Sequence, residues 1–141
     1  MMLNLKPRTR FVEDVPLITG EQLSEMSGLG RCELINGRIN YLMPVKRVHS
    51  RTTMNIAGLL YMYNLKHNLG EVHGGETGIF TRRDPDTVRG MDAAFISHER
   101  LQGAQEDSFL EVAPELVVEV LSPSNRRSRI NEKIEGNCLV L

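Results

Sequence analysis

Glu119 lies within the most apolar run of the chain, residues 114–124, which is rich in Val and Leu and carries a proline near each end. Such a run is typical of a buried strand. A carboxylate in an apolar strand is costly unless a cation or a metal ion pairs with it, or unless its pKa shifts. Glu119 is therefore the residue of this sequence that most strongly indicates chemistry.

A second carboxylate, Asp92, begins the apolar face of another strand-like segment, residues 88–97. If this strand lies beside the Glu119 strand, the two carboxylates can converge. Mg²⁺ binds proteins through one or two carboxylates and leaves its other positions to water and substrate phosphate. A metal held in this way polarises a phosphoryl oxygen and lowers the pKa of the attacking water. The pair therefore predicts a site for a hard divalent cation such as Mg²⁺ that acts on a phosphoryl group.

Basic residues follow in a segment that is predicted to be a helix over about 125–135. Arg126, Arg129 and Lys133 fall at spacings that place them along one stripe of such a helix. Arg126 and Arg127 would lie in the first turn, where the helix dipole disfavours positive charge. A bound phosphate would explain these arginines, and an ordinary solvated helix face is the alternative.

The remaining pattern predicts a mixed α/β sheet flanked by helices. Thr19 and Gln22 predict a capping box, and the Asn36-Gly37 dipeptide predicts a hairpin with a type I′ turn. The other predicted elements are a helix over 48–66 and strands over 71–81, 88–97 and 115–121. Residues 1–15 are predicted to be a flexible arm, and residues 16–141 a single domain.

The composition gives no global argument for a charged partner, because 17 basic residues nearly balance 18 acidic ones. Any basic surface that binds nucleic acid must therefore be local. Cys32 and Cys138 show no metal-binding spacing and fit a reduced, cytoplasmic protein. No apolar segment is long enough for a membrane span, so no membrane partner is expected.

The order of Asp92, Glu119 and a later lysine resembles the PD-(D/E)XK nuclease superfamily. Four segments and the Glu132-Lys133 pair more closely resemble its bacterial Uma family, whose members are described as putative restriction endonucleases. The matching segments are 32–37, 44–49, 91–97 and 114–124. The resemblance covers roughly residues 19–135 and implies a restriction-endonuclease-like mixed sheet with flanking helices.

The resemblance implies a metal site in which Asp92 and Glu119 are the ligands and Lys133 is the catalytic lysine. The main-chain carbonyl of Val120 would complete the coordination, and Glu33 matches an acidic position that can approach the metal. An ion pair of Glu119 with an arginine, a cross-strand pairing of Glu33 and a solvated Lys133 are the structural alternatives.

The expected partner is nucleic acid, with DNA as the expected kind, and the family resemblance also implies a homodimer. His49 matches a recurrent histidine at the start of the long helix. It is expected to contact nucleic acid together with three arginines, Arg126, Arg127 and Arg129. An ordinary helix-start residue is the alternative for His49.

Two positions and the end of the chain depart from the family pattern. Met91 replaces a proline before the first acid, and Leu121 replaces a lysine after the second acid. After Glu135 the sequence no longer follows the family, so the fold is predicted to be C-terminally truncated, with an exposed sheet edge. The alternative to an active endonuclease is an inert domain that binds nucleic acid or a protein partner, or a fragment that does not fold alone.

Overall fold

The computed structural model describes residues 15–121 of the 141-residue chain, so the predicted helix over 125–135 and nearly all of the predicted arm lie outside the described residues. The described elements run helix, two strands, helix and three strands. They are α1 Gly20–Glu25, β1 Cys32–Ile35, β2 Arg38–Tyr41, α2 Arg47–His67, β3 Gly70–Arg82, β4 Thr87–Ser97 and β5 Leu116–Val118. This order confirms the predicted mixed α/β class.

Strand β4 is the centre of the five-stranded sheet, in which every strand pair is antiparallel. One edge of β4 pairs with β3 from end to end. Its other edge pairs with β1 near its beginning, where Leu34 faces Val88, and with β5 near its end, where Phe95 faces Leu116. Asp92 lies between these two pairings, in the most enclosed part of the sheet.

Local sequence signals form the first helix and the first hairpin as predicted. The Thr19 hydroxyl accepts from the Gln22 N–H, and the Gln22 side chain accepts from the Thr19 N–H, which completes the capping box. Asn36 and Gly37 have φ angles of 50° and 71°, as a type I′ turn requires of both central residues. The hairpin of β1 and β2 is thus confirmed.

The core divides into two apolar clusters on the long strands. The first contains Ile79, Met91, Ala94, Ile96 and Leu110, and the second contains Leu23, Leu34, Phe80 and Val88. Residues 98–113 form an irregular connection, which is held to β3 at Leu110. The Leu110 N–H donates to the Gly78 carbonyl at 3.0 Å, and the Leu110 carbonyl accepts from the Phe80 N–H at 2.8 Å.

Helix α2 is one residue longer at each end than predicted, and it packs against β3 and β4 without any fully buried residue. Ile56 and Leu60 are half-buried, whereas Leu59 is 74% exposed. Its exposed large apolar side chains are Val48, Met54, Leu59, Tyr61, Met62, Tyr63 and Leu65. No helix within residues 15–121 has the length and apolar character to cross a membrane.

Strand β5 is shorter and less buried than predicted. It ends at Val118, so Glu119 follows the strand instead of lying inside it. Leu116 is 42% exposed, and Val117 and Val118 are half-buried. The ladder ends there because the Val120 N–H donates to the Asp92 carboxylate and not to a backbone carbonyl of β4.

Candidate active site

Asp92 is a buried carboxylate at the centre of the sheet, with 6% of its surface exposed. Its Oδ2 accepts a hydrogen bond from the Val120 N–H at 2.7 Å. The same oxygen lies 3.2 Å from Nε2 of His49, which comes from the first turn of α2. Two donors from different elements thus compensate for much of the cost of burying this charge.

The other oxygen of Asp92, Oδ1, receives no hydrogen bond from any residue within 15–121. An ionised carboxylate has about four lone-pair positions, two on each oxygen. Residues 15–121 therefore engage one oxygen of Asp92 twice and make no hydrogen bond to the other oxygen. That asymmetry is what a carboxylate needs in order to ligate a cation with a fixed orientation.

Glu119 follows the residues that pair with the strand of Asp92. The register of β4 and β5 places Ala93 opposite Val118 in the last ladder pair, and Glu119 is the next residue of the chain. The Val120 N–H bond to Asp92 keeps this part of the chain against β4 beyond the last ladder pair. The predicted neighbourhood of the two strands is therefore present.

Glu115 fixes where β5 begins, and thereby the register that brings Glu119 to Asp92. Its carboxylate accepts from the Ser97 N–H at 3.0 Å and from the Ser97 hydroxyl at 2.6 Å. Arg100 Nε lies 3.0 Å from the same carboxylate, and its Nη1 donates to the Ala113 carbonyl. Burial raises the pKa of Glu115, but the Ser97 bonds and the Arg100 charge outweigh it, so the net pKa is lowered.

We expect a Glu115→Gln variant to unfold at a lower temperature than the wild type at pH 7. A carboxyl whose folded pKa is lowered contributes stability above its ordinary pKa, and this contribution is lost as pH falls through the folded pKa. The difference between the two proteins should therefore shrink as pH falls below the ordinary value of 4.5. Thermal unfolding at several pH values measures this, and a difference that persists at the lowest pH would contradict it.

Comparisons with known proteins identify the family and the fold of this chain. The family model described as "Putative restriction endonuclease", Uma2, matches residues 21–135, which is more than half of the chain. The chain belongs to the Uma2 family. This finding confirms the resemblance that the sequence segments carried.

A solved structure shares the fold of this Uma2 chain. It is a protein from Anabaena variabilis, described as a putative nuclease belonging to DUF820, with a TM-score of 0.67 and 17% sequence identity. The match covers 86% of this chain and 68% of that protein. It therefore confirms the restriction-endonuclease-like α/β fold. Among curated proteins, none matches this chain.

The donor set of the Uma2 chain fits Mg²⁺ better than a metal with an all-protein cage. Within residues 15–121, no three side chains of His, Cys, Asp or Glu are grouped as a metal ligand set. Mg²⁺ needs only one or two carboxylates, because it keeps several waters and takes substrate phosphate. The available Oδ1 of Asp92 and the neighbouring Glu119 supply hard oxygen donors of that kind.

Glu33 lies on β1 and is 5% exposed. Its Oε2 is 3.8 Å from Nη1 of Arg89, so the cross-strand partner considered from the sequence is present. Arg89 and Asp92 are three residues apart on β4, and alternation directs them to opposite faces of the sheet. The role of Glu33 near the metal stays a prediction. Burial and the charge of Glu33 raise the pKa of the Cys32 thiol, as befits an unreactive cysteine.

Of the predicted site residues, His49 and Asp92 are in contact in the described structure, and Glu119 lies in the chain between Val118, which pairs with Ala93, and Val120. Val120 joins them through its N–H, while the ligand role of its carbonyl stays a prediction. The predicted residues Arg126, Arg127, Arg129 and Lys133 lie outside the described residues.

The sequence reasoning missed the basic start of α2, which the His49 contact brings to the site. Lys46, Arg47 and Arg51 are exposed, and the first turn carries no acidic residue. Lys46 is the N-cap residue and makes no side-chain capping bond. Positive charge at a helix N-terminus opposes the helix dipole, so an anion there is favoured. The basic residues of 46–51 are visible in the sequence, but only the contact of His49 with Asp92 brings them to the site.

Proposed function

We propose that this chain is an endonuclease that requires Mg²⁺ or Mn²⁺ and hydrolyses phosphodiester bonds of nucleic acid, with DNA as the substrate. The observation that carries the proposal is the carboxylate of Asp92, whose Oδ2 takes two protein donors while Oδ1 takes none from residues 15–121. The position of Glu119 supports it, because Val118 before it pairs with Ala93 and the Val120 N–H after it donates to Asp92. Membership of a family described as putative restriction endonucleases supports the reaction class.

In this proposal Asp92 Oδ1, the Glu119 carboxylate and the Val120 carbonyl hold the metal. The bound ion supplies Lewis-acid polarisation of the phosphoryl oxygen and lowers the pKa of the attacking water. Lys133 orients that water or stabilises the negative charge that develops on the phosphoryl oxygens. The His49 side chain, which is 18% exposed and contacts Asp92, limits the access of bulk water to that side of the carboxylate and so strengthens these electrostatic interactions.

The basic start of α2 supplies phosphate contacts in the proposed complex. Lys46, Arg47 and Arg51 surround the turn that carries His49, so a phosphate backbone bound there passes close to Asp92. The arginines of the predicted last helix would extend this surface. Such contacts position the substrate without reading its sequence.

We expect the double variant Arg47→Ala/Arg51→Ala to bind duplex DNA more weakly and with a shallower salt dependence. Each lost phosphate contact should reduce the slope of log affinity against log salt by about 0.9. Fluorescence anisotropy with a labelled duplex, without divalent metal and at several salt concentrations, measures the slope. Arg38→Ala, an exposed arginine on β2, is the single-charge control and should keep the wild-type slope. An unchanged slope in the double variant would exclude this surface.

Nicking of supercoiled plasmid with Mg²⁺ or Mn²⁺ tests the proposed function directly. We expect the wild-type protein to nick the plasmid, EDTA to stop the reaction, and Glu119→Ala to be inactive because one of the two carboxylates is lost. Equal cleavage by the wild type and by Glu119→Ala would rule out the proposed metal-dependent nuclease site. A folded wild-type protein that binds no Mg²⁺ in calorimetric titration would instead favour the inert domain that binds nucleic acid or a partner.

A further inference from the structure

We propose that His49 is a positioning residue that fixes the carboxylate of Asp92 so that its Oδ1 faces the metal; this inference rests on the proposed function. His49 Nε2 lies 3.2 Å from Asp92 Oδ2. The two side chains are 18% and 7% exposed, so the contact is largely shielded from water. A shielded hydrogen bond to a charged group is stronger than the same bond at the surface.

The direction of this hydrogen bond follows from the chemistry of its partners. An ionised carboxylate only accepts hydrogen bonds, so Nε2 of His49 must carry the hydrogen. The other ring nitrogen, Nδ1, is buried and makes no hydrogen bond to any residue within 15–121. The ring is thus placed by its contact with Asp92.

His49 and Val120 hold Oδ2 from two different elements, α2 and the chain beyond β5. The carboxyl torsion of an aspartate is soft, so a single donor fixes its orientation poorly. Two donors on the same oxygen fix it well and direct Oδ1 away from both of them. Residues that orient a metal ligand commonly control metal affinity without touching the metal.

Binding of Mn²⁺ to the full chain in the absence of nucleic acid tests the inference, with electron paramagnetic resonance as the readout. His49→Ala should weaken Mn²⁺ binding by roughly 10–100-fold, the range typical for the partners of metal ligands. His49→Gln should restore most of the affinity, because its amide nitrogen reaches about as far as Nε2. The shorter His49→Asn should behave like His49→Ala. Ser50→Ala, an exposed neighbour on α2, should bind as the wild type does.

The outcomes separate this inference from the proposed function. Wild-type protein that binds no Mn²⁺ would overturn both of them. Mn²⁺ binding by wild type and by His49→Ala with equal affinity would overturn only the positioning role. If that variant also lost affinity for metal-free DNA, His49 would be the nucleic-acid contact that the sequence predicts. A His49→Gln variant that is folded, by thermal unfolding, yet binds as poorly as His49→Ala would also overturn the positioning role.

Discussion

Replacing Asp92 with Asn is expected to abolish metal-dependent nicking of plasmid DNA while leaving the fold intact. The amide has the shape of the carboxylate, and its oxygen can still accept the Val120 N–H that Oδ2 accepts at 2.7 Å. The amide nitrogen then occupies the position of Oδ1, and it donates hydrogen bonds where a cation needs a lone pair. The substitution therefore removes the charge and the ligand but not the contact that holds the chain beyond β5.

The expected loss of activity is at least about 100-fold. A catalytic metal contributes several kcal/mol of charge stabilisation in the transition state. Each 1.36 kcal/mol changes the rate about tenfold, so losing about 3 kcal/mol of this transition-state stabilisation already reaches that figure. Initial rates of plasmid nicking at saturating Mg²⁺ and Mn²⁺ measure it. Residual activity that returns at very high metal concentration would show that the loss lies in metal affinity.

Asp107→Asn is the matched control for Asp92→Asn, because Asp107 is exposed and lies in the irregular connection between β4 and β5. It removes one negative charge by the same substitution at a place where no metal role is proposed. We expect wild-type nicking from this control. If Asp92→Asn nicks plasmid as fast as Asp107→Asn does, Asp92 is not a metal ligand.

The part of the fold that sequence predicts well is the part that local chemistry decides. Thr19 and Gln22 complete a capping box within four residues, and Asn36-Gly37 supplies the two positive φ angles of the hairpin turn. No distant contact is needed to choose the cap and the hairpin turn, so their residue types predicted them. Strands β3 and β4 begin and end within one residue of their predicted bounds.

The burial of β5 was predicted wrongly because it depends on which strands lie beside it. An apolar run predicts that a strand can be buried, but only the neighbouring elements decide whether it is. Among residues 15–121, β5 pairs with β4 alone, through three residues, and Leu116 and Leu121 remain exposed. The reach of the strand was also misjudged, because a side-chain acceptor on Asp92 competes for the Val120 N–H.

The candidate site was predictable as a set of residue types and not as a set of contacts. A carboxylate in an apolar segment indicated both Asp92 and Glu119, since charge without an evident partner is costly there. Nothing in the spacing of His49 and Asp92 indicates that the first turn of a distant helix reaches the centre of β4. That contact depends on how α2 packs across the sheet, which is a property of the tertiary structure.

Gly70→Ala is expected to be the most destabilising small substitution in the described chain segment, because its methyl group would meet backbone. A Cβ at Gly70 would lie 2.0 Å from the Ile96 carbonyl oxygen and 2.6 Å from the Cα of Ser97. Neither atom can rotate away, as the end of a flexible side chain could. The start of β3 must therefore move from the end of β4, where Gly70 pairs with Ser97.

The displacement should also disturb the residues that are hydrogen-bonded to Gly70 or to Ser97. Asn64 of α2 accepts from the Gly70 N–H and donates to the Gly70 carbonyl, so the end of the helix is tied to the same residue. Ser97 in turn holds the Glu115 carboxylate that sets the start of β5. We expect a loss of about 3 kcal/mol, the upper part of the range for overpacked sites.

Gly58→Ala is the matched control, since the same substitution at this site is expected to stabilise the protein instead of destabilising it. Gly58 lies within α2, and a Cβ there would meet no atom within 4 Å. Alanine in a helix interior should stabilise the protein by about 0.5–1 kcal/mol relative to glycine. Urea unfolding of both variants measures the two changes. Equal midpoints for Gly70→Ala and the wild type would contradict the expected loss of stability, because they would mean that the start of β3 can move away from the end of β4 without cost.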